Sequence, residues 1–182
     1  MNFPTDNNKS QEKEEKKENI VDFAAILTGK EEVPEVDTLD TALAIFHSNN
    51  KKDKRDYDLK YSVKVIDMDK IKEVQIDLGK IRKKEREERK INKEKKVVVA
   101  ELYRSDIPSN KVVMGTFCNG IINSQKLKGS LLGKNTNDLV RKIVKGEAYV
   151  NILTEDKPKG KVRGKIKKLV PAWWYCSIES DL

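Results

Sequence analysis

A single histidine and two cysteines are spread over 182 residues, and that scarcity removes several chemistries at the outset. Cys118 and Cys176 lack the close spacing of a zinc knuckle or a CxxC pair, and one possible bridge is not a disulfide framework. A reduced, cytoplasmic setting is therefore expected. The lone His47 closes AIFHSNN at the end of an expected strand, and without companion ligands it is assigned a surface or turn role. No serine or cysteine comes with a recognisable base and orienting group, so no catalytic residue is expected and the chain is read as a non-enzyme. Aromatic residues make up only 6% of the chain and are not interleaved with the basic ones, as a base-stacking surface would require. Long apolar runs are missing too: nothing approaches the ~20 residues of a membrane-spanning helix. The opening MNFPTDNNKSQEKEEKKEN lacks the apolar stretch of a secretion signal.

What the chain has in abundance is charge. Charged residues reach 37%, equal to the hydrophobic fraction, and the formal net charge is +8. This balance favours encounter with acidic partners, either protein or nucleic acid. It also means that part of the chain lies outside any core. Residues 1–19 are expected to be a disordered charged tail, 20–170 a single β domain, and 171–182 a C-terminal extension with an aromatic cluster, Trp173, Trp174 and Tyr175.

From Phe23 onward, short apolar segments alternate with polar breaks. Strands are expected over 23–29, 41–47, 57–66, 73–78, 97–103, 112–122, 147–154 and 160–169. The third is the clearest: Tyr57, Leu59, Tyr61, Val63 and Val65 fall on one face, and Asp58, Lys60, Ser62 and Lys64 on the other. NNKKDKRD, SDIPSN and EDKPKG are breaks of hairpin length, which favours antiparallel pairing. One helix is expected in TNDLVRKIVKG, capped by Asn135 or Thr136, carrying an apolar stripe of Leu139, Val140, Ile143 and Val144 and ended by Gly146. The fold class read from the residues is all-β and antiparallel, with about eight strands and one short helix.

Two basic features stand out. The segment Lys80 to Lys96 holds ten basic and four acidic residues, a net charge of +6, and has only two apolar side chains. It is read as a charged insertion between two strands, with Arg82, Lys83, Lys84, Arg86, Arg89 and Lys90 as candidate partner contacts. In the last strand, Lys161, Arg163, Lys165 and Lys167 alternate with Val162, Gly164 and Ile166, so they are expected to form a cationic row on one face.

Three blocks together resemble the chordin-domain (CHRD) family: FAAILTGKEEVPEVDT, EVQIDLG followed by VVVAELY, and NDLVRKIVKGEAYVNILTEDKPKGKVRGKI. The resemblance implies an antiparallel Ig-like sandwich or Greek-key barrel related to that of Cu,Zn superoxide dismutase. Relatives usually carry an H-x-H pattern in the middle block and a histidine after AYVN. Here those positions are Gln75, Asp77 and Leu153, so the resemblance brings no metal ligands and no cofactor. The expected function is a non-catalytic binding or structural module that engages a protein through its loops. The alternative is a nucleic-acid-associated protein using 80–96 and the last strand, and a weaker third reading is a degenerate relative of a metal-dependent oxidoreductase.

Overall fold

The computed structural model describes residues 19–50, 58–79 and 96–169. Its strands are β1 (Asn19–Thr28), β2 (Thr41–Asn50), β3 (Leu59–Met68), β4 (Ile71–Leu78), β5 (Val97–Arg104), β6 (Val113–Ile122), β7 (Ala148–Thr154), β8 (Val162–Lys165) and β9 (Lys167–Lys168), with one α-helix, α1 (Thr136–Val144), between β6 and β7. Every strand pair is antiparallel. The hydrogen-bonded path runs β5-β4-β7-β8-β1-β2-β3-β6, with β9 pairing β1. Chain neighbours β3 and β4 are far apart along this path, and β5 and β6 come together across its two ends. The result is an eight-strand, nearly closed barrel of Greek-key type. Among the described residues no helix is long and apolar enough to cross a membrane.

Alternation sets the inside. Phe23, Ala25 and Leu27 of β1, Ala42, Ala44 and Phe46 of β2, and Leu59, Tyr61, Val63 and Val65 of β3 are buried in one core cluster. The lysines between the β3 residues, Lys60 and Lys64, are exposed. Each fully buried aliphatic or aromatic side chain contributes about 1.5–3 kcal/mol, and a one-residue slip would turn all of them outward. Val74 and Ile76 of β4, Val150 and Ile152 of β7, and Val162 of β8 complete the lining. Gly164 of β8 sits where its backbone meets that of β1: a methyl group there would collide with the Ile26 carbonyl, so only glycine lets these strands approach.

The seam between β5 and β6 is closed by other means. Among the described residues no backbone hydrogen bond joins the two strands, so SDIPSN is not the turn of a laddered hairpin, contrary to its length. It joins the two ends of the sheet path instead. The Tyr61 hydroxyl crosses from β3 to donate to the Leu102 carbonyl at 2.8 Å, with its ring lying over Gly120. Tyr103 and Phe117 meet edge to face with ring centroids 4.6 Å apart. Lys128 N–H donates to the Val99 carbonyl at 2.8 Å, beside a bridge between Ala100 and Leu127. Unpaired strand edges are thereby covered.

The helix forms as its ends dictate. Asn135 accepts from Asp138 N–H at 3.1 Å, and Asp138 accepts from Asn135 N–H at 3.3 Å, a reciprocal capping box. Gly146, at φ 69°, ends it: its N–H donates to Ile143 O and that of Glu147 to Lys142 O, the Schellman pattern. Leu139 and Ile143 are buried, whereas Val144, expected on the same stripe, is exposed. The expected last strand is split into β8 and β9, and Tyr57 lies outside the described residues.

Candidate functional site

Because Val74, Ile76, Val150, Ile152 and Val162 point into the barrel, the period of two puts Gln75, Asp77, Tyr149, Asn151 and Arg163 on its outer face. Gln75 stands opposite Asn151, Asn151 opposite Arg163, and Arg163 opposite Thr28. An outer face would normally be solvated, yet all five of these side chains are buried. The cover comes from the β1–β2 connection, which folds back on itself through Val36 N–H to Gly29 O at 3.0 Å and lays Glu32 against the sheet, 4% exposed. Lys96, the last residue of the charged connection, joins from the other side.

The contacts make one network. Gln75 Nε2 and Asn151 Nδ2 both donate to Asp77 Oδ2, at 3.3 and 3.4 Å. The Lys96 ammonium is 3.3 Å from Glu32 Oε2 and donates to the Lys159 carbonyl at 3.1 Å. Arg163 donates through Nε to the Glu31 carbonyl and packs its guanidinium over the Tyr149 ring, 4.8 Å from the centroid. Gly160, at φ 137°, is enclosed by Glu32 and Asn151, and a methyl group there would collide with the Glu32 carboxylate.

Two buried carboxylates are thus faced by two cations. Burial pushes the Asp77 carboxyl above its ordinary pKa, against the amides of Asn151 and Gln75 and the charges of Lys96 and Arg163. Glu32 is raised for the same first reason, opposed by Lys96 and Arg163. Glu32 Oε1, Asp77 Oδ1 and Asn151 Oδ1 find no hydrogen-bond partner among the described residues, which adds to the cost of keeping both acids ionised.

The positions that would carry histidines in relatives fall in and beside this network, and the donor set does not fit a metal. Gln75 offers only a weak neutral amide oxygen, its NH2 donating to Asp77, the Leu153 side chain offers no lone pair, and the two carboxylates already face an ammonium and a guanidinium that would repel a further cation. No group of three or more His, Cys, Asp or Glu among the described residues is placed to hold a metal ion. His47 is exposed, its Nδ1 2.7 Å from Asp22 Oδ1. Burial pushes the Cys118 thiol up to about 11, which keeps it protonated and a poor nucleophile.

The expected cationic row does not exist as a row. Arg163 is 2% exposed. Lys161 sits between Asp40 and Asp156, 3.1 Å from each. The Lys165 side chain lies against Gly146, and of the four Lys167 alone is exposed. Alternation was read correctly, but the β1–β2 connection and its acids cover that end of the face. Arg82, Lys83, Lys84, Arg86, Arg89 and Lys90 lie outside the described residues, as do Trp173, Trp174 and Tyr175. Glu32, Asn151 and Lys96 were missed as site residues; the hint was that Glu32 and Asn151 each sit inside one of the three resemblance blocks.

Those blocks converge on this network: the first supplies Glu32, the second Gln75 and Asp77, the third Asn151, Gly160 and Arg163. The family model described as the CHRD domain matches residues 23–166. The chain belongs to the CHRD family. No curated protein and no solved structure matches it. In this CHRD domain the polar network holds the β1–β2 connection and the end of the β4–β5 connection onto the barrel, with internal cations meeting the internal carboxylates.

Proposed function

We propose that this CHRD domain is a non-catalytic binding module that engages an acidic protein through the basic connection between β4 and β5. The observation that supports this reading is how that connection is held. At one end Gly79 N–H donates to the Glu147 carbonyl at 3.0 Å, and at the other Lys96 is locked to Glu32 and Lys159. With Lys96 engaged, the barrel presents the rest of the span, 80–95, with nine basic and four acidic residues and a net charge of +5, from two fixed points, which lowers the ordering cost of binding. Arg82, Lys83, Lys84, Arg86, Arg89 and Lys90 carry the contact, and charge steers the encounter.

The nucleic-acid reading loses support because Arg163 and Lys161, two of its four residues on the last strand, are occupied within the domain. A reduced cytoplasmic setting suits a half-buried, protonated Cys118. Replacing the six loop cations with Ser and purifying both proteins from the native cell at moderate salt tests the proposal. A protein retained by the unaltered chain and lost from the variant, with the fold unchanged, is the expected result. Equal retention by both rejects the loop as the binding element, and retention of nucleic acid instead favours the second reading.

A further inference from the structure

The Asn151 amide stands between the two buried acids and cannot donate to both. Its Nδ2 donates to Asp77 Oδ2 at 3.4 Å, which leaves its carbonyl oxygen for Glu32. That oxygen and Glu32 Oε1 lie 2.8 and 2.4 Å from the one point where a side chain on Gly160 would begin. Neither has a hydrogen-bond partner among the described residues, and both side chains belong to residues more than nine-tenths buried. Two acceptors are thus brought together with no donor between them, which is costly away from water. Turning the amide over would only move the conflict to Asp77 Oδ2. A proton on one of the acids resolves it.

Glu32 is the acid placed to hold that proton. Its Oε2 is 3.3 Å from the Lys96 ammonium, so Oε1 can carry a hydrogen toward Asn151 while Oε2 still accepts from Lys96. Asp77 Oδ2 instead accepts from two amides, those of Gln75 and Asn151, which favours its ionised form. Burial is the largest influence on Glu32 and holds its carboxyl above the ordinary range. Lys96 before β5, Arg163 on β8 and the Val33 N–H in its own connection pull the other way. Asp77 on β4, across Asn151, adds a like charge that favours the proton.

We infer that Glu32 is a proton-operated switch on the hold over Lys96: protonated, it donates from Oε1 to Asn151 Oδ1 and ties the β1–β2 connection to β7; ionised, it gives up that bond and turns its full charge on the Lys96 ammonium. The released proton goes to water. A carboxylate holds an ammonium more strongly than a neutral carboxyl oxygen does. Lys96, and with it the start of β5, is therefore held more tightly as pH rises through the native value of Glu32. Falling pH loosens the same anchor. The switch acts on Lys96 within the domain and is independent of what the β4–β5 connection binds.

Side-chain NMR of the full-length protein tests this. The Glu32 carboxyl carbon is expected to titrate above the ordinary glutamate value of ~4.3, and later than that of Asp77. Hydrogen exchange of the Lys96 ammonium, taken as a ratio to the exposed Lys167 to remove the intrinsic effect of pH, should slow several-fold as Glu32 ionises. Glu32→Gln, whose amide can donate to Asn151 at every pH, should leave that ratio flat. A Glu32 titration at or below ~4.3, a later titration of Asp77, or an exchange ratio unchanged across the Glu32 midpoint overturns the inference. So does a ratio that still changes with pH in folded Glu32→Gln. The first three readings come from the unaltered protein and stand even where the variant does not fold.

Discussion

Two quarters of the barrel break the inside-apolar, outside-polar rule in opposite directions. Over β4, β7 and β8 the outer face is polar and buried; over β1, β2 and β3 it is apolar at its centre, with Ile26 exposed and Ala24, Leu43 and Ile45 half-buried. The first is covered by a connection that brings its own charge, Glu32, against cations already on the sheet. The second has no such cover among the described residues. Burial on an outer sheet face is therefore set by what the connecting segments bring to it. A covered polar face holds its loops in one arrangement because breaking it leaves unpaired charge.

The sharpest way to break the comparison is to unbalance the covered quarter. Arg163→Ala leaves Glu32 and Asp77 facing only Lys96, and should lower the free energy of unfolding by about 3–5 kcal/mol in a urea titration. Gly160→Ala attacks the same place through the backbone: the φ of 137° and the collision with Glu32 should cost about 1–3 kcal/mol. Asp77→Asn sharpens the electrostatic side. Burial raises the native carboxyl, so the folded state holds a proton that the unfolded chain has released. That contribution is present below the unfolded value near ~3.9 and is lost as pH rises through the raised native value. The stability of Asp77→Asn relative to the unaltered protein should therefore rise across that window and then level off, as read from urea midpoints at successive pH. On the open quarter, Ile66→Ser should change stability by no more than about 0.5 kcal/mol, since Ile66 is more than half exposed.

Local chemistry made most of the fold legible. The alternation of Leu59, Tyr61, Val63 and Val65, the Asn135 cap and the Gly146 stop each depend on a few adjacent residues, and each stands in the structure at its expected place. What could not be read depends on distance in the chain. Arg163 looks like Lys161 and Lys167 in its alternation; only the arrival of Glu31 and Glu32, from 131 positions earlier or more, decides which cation is buried. Lys96 reads as the end of a charged run until its ammonium is seen between Glu32 and Lys159. The seam was missed for a related reason: a break of hairpin length joins two strands in sequence, but their partners β4 and β3 on the sheet path determine where they pair.

The seam has a mechanical consequence. A ladder parts one rung at a time against many rungs, whereas β5 and β6 are held by a hydroxyl, one pair of rings and the single bridge beside Leu127. Rotating Tyr61 and Phe117 out of place would leave only the bridge beside Leu127 across the seam, with every strand ladder intact. Because the seam-side amides of β6 have no ladder partner on β5 among the described residues, solvent deuterium should reach them well before those of β2.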